Sequence, residues 1–345
     1  MLNAKRMFKA QVVCASLLTL GLLSPSFADH KAHSKLAVDK VKGDLSVMVL
    51  GSGGPVATAA GRASAGYLIF TDGNPNPRIL MDVGGGTFKS LAESGVNVKN
   101  LDLVLLSHLH IDHTGDLSSV IKTVYFHTVG AGETRTIDDV IHIWGPDSKV
   151  GGFSTTIDYV DAHYAGPKGT ERYLNGFTGL IGAGTFSYEG HNLISDWENN
   201  TAVQEVYEAA DGLKVTAIAV KHGPVPAVAY RIDYKGHSIV YSGDTNSESH
   251  NMVTLATDAD LLIYDTAIMD THPNPVMLQL HTTPSRMGAV AAEAMAKRLV
   301  LSHITPNTEN NLREVKSLVR AQGFMGKIQE ASDLQVFNLG DQPHW

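Results

Sequence analysis

The segment Ser107–Leu117, SHLHIDHTGDL, places three histidines and two aspartates between His108 and Asp116. It closes an apolar run, DLVLLSH (102–108), of the kind that forms a buried strand. His108 and His110 stand two residues apart, so on an extended chain both side chains point the same way and reach one ion. Asp112 and His113 follow where the chain turns into a helix near Asp116, and that turn can aim them at a second ion. Unpaired polar groups at a buried strand end are costly, which separates this cluster from scattered surface histidines. Imidazole and carboxylate without thiolate suit zinc, with manganese or iron also open. Two ions need further ligands, so the rest of the fold must deliver them to the same place.

Other strand ends can supply them. His222 ends VTAIAVKH, Asp244 ends SIVYSGD and His303 ends RLVLSH. Each is a metal-capable side chain where a buried strand meets a loop, which is where α/β folds collect their sites. His163 and His191 are rivals for a ligand position, but neither follows a clear strand. Further apolar runs bounded by turn residues predict strands at 45–51, 65–70, 78–84, 213–223, 227–234, 237–245, 261–266 and 298–304. Helical periodicity predicts helices over 116–129, 284–298 and 311–323, the last closing on Gly323. Strands and helices alternate, so the class is α/β with layered sheets. The span 125–211 is rich in Gly, Asp, Thr and Tyr with few clear periods and is expected to be an insertion over the site.

The amino terminus has another purpose. Lys5, Arg6 and Lys9 precede a short apolar core, Val12–Leu23, and small residues at Ser26 and Ala28 suit cleavage. This is the layout of a secretory signal peptide over residues 1–28, and its apolar core is too short to span a bilayer comfortably. A periplasmic or secreted protein with no membrane association is expected. Residues 29–44 read as a loose leader, with the folded domain over 45–345. The single cysteine, Cys14, would leave with the signal. The mature chain would then have no thiolate ligand, cysteine nucleophile or disulfide.

SHLHIDH matches the HxHxDH signature of the metallo-β-lactamase superfamily, YSGDT its later aspartate motif, and LVLSHITP its final histidine motif. Within the superfamily the chain resembles the ribonuclease Z group and its type III arylsulfatase relatives. VLGSGGP with GRASAGYLI, KHGPVPAVAYRI, and LHTTPSRMGAVAAEAMAKRLVLSH carry that closer similarity. The resemblance covers most of residues 45 to 305 and implies a four-layer αββα sandwich. It implies one zinc held by His108, His110 and His222, a second held by Asp112, His113 and His303, and Asp244 bridging them. Asp112 would orient the attacking hydroxide shared by the two ions.

His281, in LHTTP, resembles a histidine that in ribonuclease Z pairs with a glutamate in a HEAT segment. Here that segment reads Tyr264-Asp265-Thr266-Ala267. Asp265 would hold His281, which would donate a proton to the leaving oxygen. The rival role for His281 is capping the helix that begins near Pro284. GSGGP (51–55) is read as a tight turn near the site rather than a phosphate cradle. His127, His142, His237, His250 and His272 are read as ordinary residues.

Charge bears on the substrate. The formal net charge is −8, a poor match to polyanions. The span 125–215 carries five Lys/Arg (Arg135, Lys149, Lys168, Arg172, Lys214) against thirteen Asp/Glu, whereas a tRNA-binding arm should be basic. Nucleic acid is therefore not the expected partner. A small ester fits better, with Tyr159, Tyr164, Tyr173, Phe177, Phe186 and Tyr188 as walls of a pocket or as the insertion's own small core. Arylsulfate hydrolysis is the first expectation from the resemblance. A phosphodiesterase acting on cyclic nucleotides or aryl diesters is the alternative, and lactonase or β-lactamase action comes third. A non-catalytic metal-binding protein is the non-enzyme reading. A homodimer is compatible with the sequence.

Overall fold

In a computed structural model the described residues are 35–101, 103–128, 140–149, 152–165, 168–171, 174 and 187–340. The expected signal peptide, the leader to residue 34, and Tyr173, Phe177 and Phe186 lie outside them.

Two mixed seven-stranded sheets pack face to face. The first contains β1 (Leu45–Gly51), β2 (Gly66–Thr71), β3 (Ile79–Val83), β4 (Leu103–Leu105), β5 (Val140–Pro146), β6 (Ser187–Leu193) and β14 (Val336–Leu339), in the order β14-β1-β2-β3-β4-β5-β6. The second contains β7 (Gln204–Glu208), β8 (Lys214–His222), β9 (Val225–Tyr234), β10 (His237–Tyr241), β11 (Leu261–Asp265), β12 (Arg298–Ser302) and β13 (Lys327–Glu330), in the order β13-β12-β11-β10-β9-β8-β7. Strands β3 to β6 run parallel, as do β10 to β13.

Central strands such as β1, β2 and β3 are buried at every position. Continuous apolar runs are what a strand covered on both faces requires. One cover is the opposite sheet: Val47, Tyr67 and Met81 meet Val228, Tyr230 and Ile263 in a shared core. Helices supply the other. Outside the first sheet, α1 (Thr87–Ser94) and α3 (Leu117–His127) bury Leu91, Val120 and Val124, with the single-turn α2 (Ile111–Thr114) between them in sequence. Outside the second, α5 (Asn251–Ala256), α7 (Pro284–Glu293) and α9 (Leu312–Ala321) bury Met252, Met287 and Val315. The shorter α4 (Thr156–Val160), α6 (Pro275–Leu280) and α8 (Pro306–Glu309) lie in connections. The result is the four-layer αββα sandwich.

The helix expected over 284–298 ends at Glu293, with Arg298 already in β12, and two boundaries at the scale of the domain differ from the sequence expectation. The fold begins before Leu45: Ala37–Lys40 forms a 3₁₀ turn, Ala37 and Val41 are buried, and the Lys42 amide donates to Asn338 Oδ1 at 3.1 Å. Two small apolar side chains in a polar stretch were too weak a signal. The span 125–211 is also not only a cover. It contributes β5 and β6 to the first sheet and β7 to the second, as the last strands on that side of each. Among the described residues no helix is long and apolar enough to cross a membrane.

Candidate metal centre

The chemistry-bearing residues sit at or just beyond strand ends. His222 and Asp265 are the last residues of β8 and β11, and His303 directly follows β12. His108 and His110 follow β4, Asp112 and His113 lie in α2, and Asp244 follows β10. His303 takes a left-handed φ of 54°, a conformation that costs about 1–3 kcal/mol for a non-glycine residue. The strained turn points its ring back across the strand ends.

The seven side chains form two clusters joined by Asp244. In the first, His108 Nε2 lies 2.9 Å from His110 Nδ1, which lies 3.4 Å from His222 Nε2. Asp244 Oδ2 stands 3.9 Å from both His108 Nε2 and His222 Nε2. In the second, His113 Nε2 is 3.4 Å from Asp112 Oδ2, 3.5 Å from Asp244 Oδ1 and 3.3 Å from His303 Nε2. His303 Nε2 is in turn 3.3 Å from both Asp112 Oδ2 and Asp244 Oδ1.

These lengths test whether ions fit. Ligand bonds of about 2.0–2.1 Å in a tetrahedron give ligand–ligand edges of about 3.3–3.4 Å. The second cluster meets that value at nearly every edge, and the first is slightly less regular. Asp244 Oδ1 is buried without a hydrogen-bond partner, a costly state that a cation relieves. The donor set is imidazole and carboxylate, which suits zinc. Both clusters therefore fit divalent ions, with one oxygen of Asp244 turned to each.

Supporting bonds fix which nitrogen each histidine offers. His113 Nδ1 lies 2.7 Å from Asp82 Oδ2 and His222 Nδ1 lies 2.7 Å from the Leu280 carbonyl oxygen, so in both rings Nε2 remains for an ion. Asp82 also accepts from the Ser107 amide, the Ser107 hydroxyl and the Tyr241 hydroxyl, each at 2.7 Å. Sequence reasoning missed Asp82. Its signal was a carboxylate inside the apolar strand run RILMDVG, where a charge needs a partner. Asp116 is structural: its Oδ2 accepts from the amides of Gly86 and Phe88 at the start of α1.

The clusters differ in proton affinity. Burial lowers His108 and His110, and takes His222 down to about 4. Burial also opposes charge on His113 and His303, but nearby carboxylates outweigh it. Asp244 and Asp82 hold His113 well above its ordinary value, and Asp244 with Asp112 raises His303 to about 10. Burial opposes charge on Asp112 and Asp244 as well, and the adjacent imidazoles overcome it, so both lie below the usual carboxylate range.

His281 Nδ1 lies 2.8 Å from Asp265 Oδ2 and 3.8 Å from Asp244 Oδ2. Asp265 lost one methylene relative to glutamate yet reaches the ring. Helix capping falls to Thr283 instead, whose hydroxyl accepts from the Arg286 amide at 3.5 Å. The rivals His163 and His191 are elsewhere: His163 Nδ1 pairs with the Tyr159 carbonyl oxygen and His191 with His142. The GSGGP turn does lie at the site, since a Cβ on Gly54 would stand 2.6 Å from His303 Cε1.

Beside His110 opens a cavity of about 220 Å³, walled by Leu109, Phe153, Tyr159, Val225 and Pro226. Tyr164 and Tyr188 are instead buried in the core outside the first sheet. Among the described residues, the aromatic side chains expected to wall a pocket therefore divide between pocket wall (Tyr159) and core (Tyr164, Tyr188).

Known proteins share this architecture. A family model described as "Beta-lactamase superfamily domain" matches residues 77–304. A curated Ribonuclease Z of Mycobacterium avium is 26% identical over 301 residues, covering 84% of this chain and 96% of that protein. The metallo-β-lactamase fold protein YhfI from Bacillus subtilis superposes with a TM-score of 0.59 at 22% identity, over 85% of this chain and 98% of that one. The short form of human tRNase Z also gives a TM-score of 0.59, at 20% identity over 85% and 98%. From the model that spans Asp82 to His303, the chain belongs to the β-lactamase superfamily, with ribonuclease Z enzymes among its homologues.

Proposed function

We propose that this metal-dependent hydrolase cleaves small phosphodiesters bearing an aromatic or apolar group, with His281 as proton donor to the leaving oxygen. The carrying observation is the Asp265–His281 pair, 2.8 Å apart and adjacent to Asp244. The ribonuclease Z names of the curated relatives support the phosphodiester class and favour it over the sulfate-ester expectation.

His108, His110 and His222 would hold one divalent ion, Asp112, His113 and His303 another, and Asp244 both. Such ions supply acidified water and neutralise charge on phosphoryl oxygens. The chain's own groups do the rest. Asp112 uses Oδ2 toward His113 and His303, and a carboxylate's second oxygen is an acceptor able to orient the attacking water. Asp265 fixes His281 through Nδ1, so the proton to be transferred sits on Nε2. Burial opposes that charge, but Asp265 outweighs it and raises the His281 pKa. As the new P–O bond forms, the old one breaks, and the departing oxygen takes the proton from Nε2. The cavity beside His110 would receive the apolar group.

The test is turnover of bis-p-nitrophenyl phosphate, a cyclic nucleotide, p-nitrophenyl sulfate and a lactone, with and without chelator. Diesters should be the preferred substrates and chelation should abolish turnover. His281→Ala should slow an alkyl-leaving diester by about 10²–10⁴-fold and affect a p-nitrophenyl leaving group far less, because p-nitrophenolate departs without a proton. Preference for the sulfate overturns the substrate class. An unchanged alkyl-ester rate at intact metal content overturns the role of His281.

A further inference from the structure

We propose that His142, Glu189 and His191 form a third cation site, which takes a divalent transition ion such as zinc or copper and clamps strand β6 to β5. These residues share no member with the two clusters of the metal centre. The parallel register of β5 and β6 sets His142 opposite Glu189 and Trp144 opposite His191. Alternation along each strand then puts all three candidate ligands on one face.

Their donor atoms converge. His142 Nδ1 lies 3.0 Å from His191 Nε2 and 3.8 Å from Glu189 Oε2, and one ligand atom from each residue falls within a 4.8 Å group. Those separations bracket the ligand–ligand edge of about 3.3–3.4 Å for a tetrahedral ion. Two imidazoles with one carboxylate suit zinc or copper. The His191 ring is stacked on Trp144 with centroids 4.3 Å apart and planes 14° from parallel, so one ligand is held in orientation before an ion arrives. Burial also lowers the His191 pKa, which favours the neutral ring that an ion needs. Glu189 is more than half exposed, leaving room for water to complete the coordination.

The position gives the site a purpose. Strand β6 is the terminal strand of the first sheet, and edge strands are held from one side only. An ion shared by β5 and β6 adds a cross-strand link that exists only in the folded chain, so it stabilises the fold by mass action.

The full-length chain, His142→Gln and Glu189→Gln are dialysed against zinc, then assayed for zinc content and for thermal midpoint with and without the ion. All three retain the same metal centre, so the difference between them is the measurement. The wild-type chain should hold one more zinc per chain than either variant. Its midpoint should also rise more on zinc addition, while turnover is retained in both variants. Equal zinc content with equal zinc-dependent midpoint shifts would overturn the site, and the His142–His191 contact would then be a hydrogen bond alone. A midpoint lowered equally with and without zinc would have the same meaning.

Discussion

At the scale of single residues, the two clusters differ in what an ion must displace. Metal ligation requires neutral imidazole, so protons held by ligands are released on binding. His108, His110 and His222 have lowered proton affinity, with His222 at about 4, and are neutral at pH 7. His113 is raised and His303 stands at about 10, so both carry protons in the ion-free protein. Filling the second cluster at neutral pH should release about two protons and filling the first almost none. The proton competes with the ion, so affinity at the second cluster should climb as pH rises toward 10 while affinity at the first changes little above neutrality. Calorimetry of zinc binding in two buffers of different ionisation heat checks this. His303→Gln should reduce the proton-linked heat; equal proton release at both steps would contradict the assignment. By the same linkage, the ion-free contacts of His303 with its carboxylates stabilise the fold fully below the ordinary histidine pKa of about 6.5 and lose that effect through about 10.

The convergence of His108, His222, Asp244 and His303 was legible because each closes an apolar run, with His110, Asp112 and His113 following the first of them directly. Asp82 was not, because a lone carboxylate within RILMDVG gives no sign of how many groups will converge on it.

At the scale of elements, the strands that carry the site were legible and the sheet borders were not. β1, β8, β11 and β12 are dominated by apolar residues and bounded by turn residues, so their limits in sequence and structure agree within a few residues. β13, KIQE, and β7, QEVYE, are short and mostly partly exposed, and so lack an apolar signature. α1, TFKSLAES, buries Thr87, Ser90 and Ser94 beside Leu91, and small polar residues on an inner face hide the helical period. The loop between β1 and β2 shows how an element can tune the site without supplying a ligand. Gly53 bridges to Ser64 and to Ile304, which brings Gly54 against the His303 ring. A Cβ there would lie 2.6 Å from Cε1 and 2.9 Å from Nδ1, closer than ordinary contact allows. Gly54→Ala should push the ring aside, weaken zinc at the second cluster by about 10–100-fold and destabilise the ion-free fold by about 1–3 kcal/mol. Gly85→Ala is the control, since a Cβ at that position meets nothing within 4 Å. Equal zinc retention by the two variants would show that the loop is not what seats His303.

At the scale of the whole molecule, the four layers follow from strands buried on both faces, but shared architecture does not fix the substrate. Charge separates the candidates. Binding a structured RNA requires cations to neutralise phosphates, and the affinity then falls steeply with salt. This chain carries a net charge of −8, and its span 125–215 has five basic residues against thirteen acidic ones. Two of the described cations there already face carboxylates: Lys149 meets Asp196 at 2.8 Å, and Lys214 meets Glu205 at 2.8 Å. The cavity beside His110, about 220 Å³ and largely apolar, suits one ring better than a folded polynucleotide. The KM for bis-p-nitrophenyl phosphate should therefore change little across the range from 50 to 200 mM salt over which a protein with several phosphate contacts loses about 10³–10⁵-fold in affinity. A precursor tRNA added at low salt should compete weakly with the small diester and be cut slowly if at all. Tight, strongly salt-dependent competition by that RNA, with cleavage outpacing the small diester, would move the substrate class to nucleic acid and leave the metal centre and its His281–Asp265 pair unchanged.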